Sequence, residues 1–220
     1  MLVVALTGGI ATGKSVVAKV LEELGCYIQH ADKIARKLME PGKPTWKKIV
    51  AHFGSRILNE DKTINRSRLG EIIFADKKER TYLNSLIHPL VLEKKKEAVN
   101  LLEKQGRYKI FVSEAALTIE AGFVDFFDKV IVVFCKKETQ IKRLMERDKI
   151  SRKEALKKIK SQMGPEKKLK YADYAIDSSG SVQSTVEQTE RVYRSLMLDC
   201  EIKCAERASA KKKSSAPKLD

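Results

Sequence analysis

Cysteine is scarce in this chain, and aromatic residues make up 6% of its 220 positions. Cys26, Cys135, Cys200 and Cys204 are scattered without the spacing of a disulfide framework. Cys200 and Cys204 stand four apart on a predicted helix, but no further Cys or His stands near them to complete a metal site. Reduced thiols in a cytoplasmic protein are therefore the expectation. No apolar run approaches the roughly 20 residues needed to cross a bilayer. The short apolar start has no basic leader, so no signal peptide is expected. Internal repeats and a spaced aromatic platform for stacking bases are missing as well. A secreted disulfide scaffold and a helical membrane protein are disfavoured.

Positive charge is abundant: 44 Lys and Arg stand against 29 Asp and Glu, a net charge of +15. Such a balance favours polyanionic partners, among them nucleotides and pyrophosphate compounds as well as nucleic acids. Part of the excess lies between Lys203 and Lys218, including Lys211, Lys212 and Lys213 beside small residues. A basic, disordered tail is expected over 203–220, following one domain over 2–202. Basicity alone assigns no function.

The decisive segment is Leu2-Val-Val-Ala-Leu-Thr-Gly8-Gly9-Ile10-Ala11-Thr12-Gly13-Lys14-Ser15. An apolar run leads into G-x-x-x-x-G-K-S and then into a helical pattern, the strand–loop–helix context of a phosphate-binding loop. Glycines let backbone amides curl around an anion, and the following helix points its positive end at the same place. Gly8, Gly9, Ala11, Thr12, Gly13, Lys14, Ser15 and Val16 are the predicted nucleotide cradle, with Lys14 as a cation for the phosphates and Ser15 as a hydroxyl ligand for Mg²⁺.

Val17, Val20, Leu21 and Leu24 fall at helical spacing, and Gly25 ends that helix. Cys26–Gln29 reads as a short buried strand that delivers His30, Ala31 and Asp32 to its C-terminal end, the edge where open α/β sheets bind ligands. Asp32 is therefore placed to touch a substrate; the alternative is a cap on the next helix. Helical patterns follow over Lys33–Met39, Thr45–Phe53 and Leu69–Phe74. A longer one starts near Lys78, with a kink or restart expected at Pro89. Tyr108–Val112, Lys129–Cys135 and Tyr174–Asp177 read as strands. Glu138–Asp148 reads as a helix, Ser151 with Glu154 as a capping box, and Val182–Cys204 as a final helix. Strands alternating with helices predict a three-layer α/β/α sandwich around a mostly parallel sheet. The helical stretch over 33–99 is expected to cover an acceptor, and the basic helices over 137–171 to form a lid. Arg143 and Arg147, four apart on one helical face, can close on a phosphoryl group or simply face solvent.

No Asn-Lys-x-Asp guanine-reading signature is present, and the nearest Walker-B candidate, Phe111-Val-Ser-Glu114, is weak. A small-molecule kinase needs less: positioning, electrostatic stabilisation and an acid–base group. The chain resembles the dephospho-coenzyme A kinases through an ordered series of segments over residues 2 to about 195. They include the phosphate loop, Ala31-Asp32-x-Ile-Ala-Arg36, Ile87-His88-Pro89-Leu90, Glu138-Thr-Gln140, Arg143-Leu-Met-x-Arg147-Asp148, Gln162-Met163 and Ile176-Asp177-x-x-Gly180.

The resemblance implies a P-loop kinase fold and ATP-dependent phosphorylation of the ribose 3′-hydroxyl of dephospho-coenzyme A, with Mg²⁺. It implies that Asp32, Lys14 and Arg147 are catalytic, that Arg143 joins the loop in holding the nucleotide, and that Arg36 and His88 contact the acceptor. It also implies a monomer or weak homo-oligomer with no specific nucleic-acid or membrane partner. Several positions depart from the family pattern. His30 replaces a first aspartate, Val16 a threonine, Ala116-Leu-Thr-Ile-Glu120 a Pro-Leu-Leu-Phe-Glu segment, and Ser178 a frequent asparagine near the adenine. Two other readings remain at this point: a P-loop kinase for a different alcohol, and a basic nucleic-acid-stimulated ATPase working through its tail.

Overall fold

The computed structural model describes residues 1–214. Its sheet has five strands: β1 (Leu2–Gly8), β2 (Tyr27–His30), β3 (Ile110–Glu114), β4 (Lys129–Phe134) and β5 (Tyr174–Asp177). They lie in the order β2-β3-β1-β4-β5, and every neighbouring pair is parallel. β1 occupies the centre and is buried along its whole length. Its period-2 alternation serves two cores. Leu2, Val4 and Leu6 meet Val17 and Leu21 of α1 (Lys14–Glu23) and Leu196 of α9 (Val182–Ser214). Val3 and Ala5 face the other way, onto Val99 and Leu102 of α5 (Lys77–Gln105) with Phe111 and Phe127. Helices on both faces of a parallel sheet make the three layers expected from the sequence.

Two satellite cores complete the fold. One gathers Ala31 from α2 (Ala31–Leu38), Ile49 and Phe53 from α3 (Pro44–Phe53), Leu69 from α4 (Arg66–Ala75), and Leu83, Ile87 and Val91 from α5. The other joins Ile141 and Leu144 of α6 (Lys137–Asp148) to Ala155 of α7 (Arg152–Lys160). Ser151 and Glu154 form the capping box that the sequence predicts. A short α8 (Pro165–Leu169) leads to β5. Since α5 contributes to the sheet core and to the first satellite core, one rod roughly 40 Å long ties the two together.

Three expectations are corrected. Helix α5 does not restart at Pro89 but runs as one element from Lys77 to Gln105. Pro89 and Ser85, four residues earlier, are both exposed, so water takes the carbonyl that the missing amide leaves. Strand β2 is half-buried rather than buried, because it is an edge strand paired to β3 alone. The tail expected over 203–220 is helical as far as Ser214, the last described residue. Ala205, Ala208 and Ala210 are strong helix formers with no Gly or Pro among them. Lys203 pairs with Asp128, and Arg207 donates to Glu103 at 2.9 Å, which anchors this end of α9 to the body. Residues 215–220 of the expected tail lie outside the described residues. Among the described residues no helix is long and apolar enough to cross a membrane.

The close approach of β1 to β4 requires Gly8. Its φ is +153°, and a Cβ there would lie 2.2 Å from the Val133 carbonyl oxygen, a backbone atom that cannot swing aside. Gly8→Ala is expected to destabilise the fold by about 3 kcal/mol or more in chemical denaturation. A loss below ~1 kcal/mol would show that β4 yields here.

Candidate active site

β1 ends at Gly8 and α1 begins at Lys14, so the intervening loop turns at the C-terminal edge of the sheet, where the strand order reverses. Gly13 caps α1 with φ +85°, and Ala11 adopts φ +57°, a left-handed conformation that costs a non-glycine residue roughly 1 kcal/mol. Packing offsets that cost: Ile10 and Ala11 lie against the α6–α7 core. The buried Thr12 hydroxyl donates to the Gly9 carbonyl at 2.9 Å. The Lys14 amine donates to the carbonyls of Gly8 at 3.0 Å and Gly9 at 2.9 Å. Burial under the loop pulls the Lys14 pKa down to about 8, while Glu114 and Asp32 push it back up and Lys168 and Arg147 lower it. A phosphate arriving at this amine favours the charged form.

Two cavities meet at the loop. The smaller, about 270 Å³, is bounded by Gly13, Ser15, Val16, Arg143, Ser178 and Val182. The larger, about 1240 Å³, has Lys14, Ser15, Asp32, Arg36, Glu114 and Arg147 on its walls and extends to Ile64, Leu69 and Ile73 of the first satellite core. Ser15 and Arg147 line both. Asp32 lies in the first turn of α2, and the N-cap position belongs to His30, so capping is not its role.

The lid arginines are engaged differently. Arg143 donates from Nη1 to the Ser178 hydroxyl at 3.1 Å and from Nη2 to the Ser178 carbonyl at 2.8 Å. That hydroxyl donates in turn to the Thr12 carbonyl at 2.7 Å, so the buried Ser178 links α6 to the phosphate loop. Arg147 donates to Asp148 at 2.8 Å, and Lys158 grips the other Asp148 oxygen at 2.9 Å. Arg147 first, and then Lys158, hold the Asp148 carboxyl below its usual range.

His88 is not on the wall of either cavity. Its ring sits edge-on to Phe123 at 6.0 Å, and burial, reinforced by Lys95, lowers its pKa against the pull of Glu120. Proline-flanked histidine in a motif is visible in sequence; which side of α5 it takes is not.

Several residues that sequence reading undervalued belong to the site. Glu114 ends β3, opposite Leu6 of β1, and its carboxylate accepts from His30 Nδ1 at 2.5 Å. Its Walker-B-like place depends on β3 lying beside β1, which the order of strands along the chain does not reveal. Lys168, 1% exposed, donates to Glu120 at 2.7 Å and to the Ala116 carbonyl at 2.8 Å. Burial lowers the Lys168 pKa, and Glu120 raises it. Glu120 also accepts from the Met163 amide at 3.0 Å, which ties the end of the lid region to the sheet side.

A loop that can hold phosphates, set between a pocket on one side and a larger cavity with a carboxylate on the other, fits phosphoryl transfer between two small molecules. The architecture is that of a P-loop kinase. Residues 2–184 match the family model described as dephospho-CoA kinase. A dephospho-CoA kinase of Carboxydothermus hydrogenoformans is 44% identical over 186 residues, covering 84% of this chain and 90% of that one. One from Halalkalibacterium halodurans is 41% identical over 187 residues, covering 85% and 92%. The solved dephospho-CoA kinase of Campylobacter jejuni superposes with a TM-score of 0.63 at 33% identity, covering 88% of this chain and 96% of that one. The chain belongs to the dephospho-CoA kinase family.

Proposed function

We propose that this kinase transfers the γ-phosphoryl group of ATP to the ribose 3′-hydroxyl of dephospho-coenzyme A, with Asp32 as the acid–base group. The observation that carries the reading is that Asp32 opens onto the same cavity as Lys14 and Ser15. The loop amides, the α1 dipole and Lys14 hold the β- and γ-phosphates. Arg143 and Arg147 stand over the nucleotide pocket to offset charge on the moving group. Asp32 accepts the 3′-hydroxyl proton as the new O–P bond forms, the bond between the γ-phosphorus and its bridging oxygen breaks, and ADP leaves. Arg36 faces the same cavity and suits an anionic part of the acceptor. His88 has no part in this reading.

Mg²⁺ fits the donor set: the Ser15 hydroxyl, with the carboxylates of Asp32 and Glu114 on the same cavity wall, offers hard oxygen ligands. Ser15, with Asp32 or Glu114 and the phosphates, would hold the ion. When bound it neutralises phosphate charge. The four free cysteines suit the reducing cytoplasm.

Purified protein given ATP, Mg²⁺ and dephospho-coenzyme A is expected to release ADP only with the acceptor present, measured by coupled assay. ADP release independent of the acceptor, or faster turnover with another alcohol from a nucleoside panel, would overturn the assignment.

A further inference from the structure

Gln140 and Gln162 hold the two peptides that flank one residue, Ile10. Gln140 lies on α6 and is buried; Gln162 follows α7 at the edge of the larger cavity. Gln140 Nε2 donates to the Ile10 carbonyl at 2.7 Å, and the Ile10 amide donates to Gln162 Oε1 at 2.7 Å. Ile10 sits at the tip of the phosphate loop, directly before the left-handed Ala11. Its two backbone polar groups are thus committed to the lid side, and the peptide planes flanking Ile10 are both fixed. Apolar packing agrees, since Ile10 and Ala11 join Ile141, Leu144 and Ala155 in one cluster.

Gly9 makes room for this arrangement. A Cβ there would lie 2.8 Å from Gln140 Nε2, whereas its φ is outside the left-handed region, so the demand at this position is for space. Gln140 also shares a face of α6 with Arg143 and Arg147, three and seven residues on. Whatever sets the distance between α6 and Ile10 therefore sets where the two guanidiniums stand.

We propose that Gln140 and Gln162 are positioning residues that bolt the lid to the phosphate loop through the backbone N–H and C=O of Ile10, so that the amide cradle and the lid arginines grip the donor triphosphate as one unit. This rests on the loop being the donor site, as read above. It places the effect of both glutamines on ATP and not on the acceptor.

The test compares Gln140→Met, Gln162→Met and the double variant, with ATP affinity from calorimetric titration of the full chain and with steady-state constants for both substrates. Each single change is expected to weaken ATP about three- to tenfold, the worth of one such hydrogen bond. The double variant is expected to fall within about twofold of the weaker single, because both side chains hold the backbone of the same residue, Ile10, and either loss frees it. KM for dephospho-coenzyme A stays within about twofold. Gly9→Ala, which crowds the Gln140 amide without changing it, is expected to weaken ATP similarly, and adding Gln140→Met to it brings little more. The proposal is overturned if both single variants keep parental ATP affinity while losing thermal stability, which is the mark of a purely structural role. It is equally overturned if the two effects multiply, or if the loss falls on the acceptor. Calorimetric ATP affinity needs no acceptor, so a parent protein that bound ATP but ignored dephospho-coenzyme A would sink the assigned acceptor and leave this result readable.

Discussion

Asp32→Asn is expected to lower kcat by about 10² or more while leaving ATP affinity nearly intact. The amide keeps the size of the side chain but cannot take the proton of the attacking hydroxyl, and general-base effects are of this magnitude. Asp32 is exposed, lies in the first turn of α2 and forms no hydrogen bond with another described residue, so the substitution leaves little of the fold to repair. Stopped-flow or coupled measurement of kcat beside a calorimetric ATP titration separates chemistry from binding. A variant that turns over at the parental rate would remove Asp32 from the mechanism. Glu114, paired with His30, would then be the other carboxylate on the cavity wall whose charge acts on Lys14.

Lys95→Met is expected to make the protein more stable. Lys95 is 2% exposed, lies beneath the sheet-side core with its amine 5.4 Å from the centre of the Phe127 ring, and forms no salt bridge with another described residue. Burial pulls its pKa down to about 8, opposed by the charge of Asp32. In the folded state the group gives up its proton near pH 8, whereas an unfolded lysine keeps it to about 10.5. Between those values the unfolded chain binds the extra proton, so stability rises with pH across that window; below pH 8 the cost of the buried charge is present in full. Removing the charge at pH 7 is expected to add about 2–3 kcal/mol, or on the order of 5–10 °C in Tm. It is also expected to flatten the rise in stability between pH 8 and 10, leaving the share that belongs to Lys14 and Lys168, which shift in the same direction. Because the lost cation also acts on Asp32, kcat is expected to fall as Tm rises. Denaturation curves at pH 7 and 9.5 check both statements, and a destabilised methionine variant at pH 7 would show that the ring contact and the Asp32 field outweigh desolvation.

Local chemistry made much of this protein legible before any coordinates. The phosphate loop is read from a run of adjacent residues, because strand, glycine turn and helix start all lie within one stretch. β5 and the Ser151–Glu154 capping box were legible for the same reason. Errors fell where the outcome turned on burial. Pro89 signals a break, yet it is tolerated on a solvent-facing side of α5. The lysines after Lys203 suggest a loose tail, yet Lys203 and Arg207 find Asp128 and Glu103, more than seventy positions away in the chain.

By itself, then, the sequence determined that strand, glycine loop and helix would follow one another over Gly8–Ser15, that a parallel α/β sheet would carry them, and that Asp32 would emerge at the same edge of that sheet. These follow from short-range rules of backbone freedom, hydrophobic period and strand ends. The tertiary structure alone decided that Glu114 flanks Lys14, that His88 packs against Phe123, and that Ser178, Gln140 and Gln162 are hinged onto the loop. Each of the hydrogen bonds concerned joins residues 84 to 166 positions apart, and the place of Glu114 depends on which strand lies beside β1. Their formation is set by how the layers pack, and no local pattern of residues encodes it.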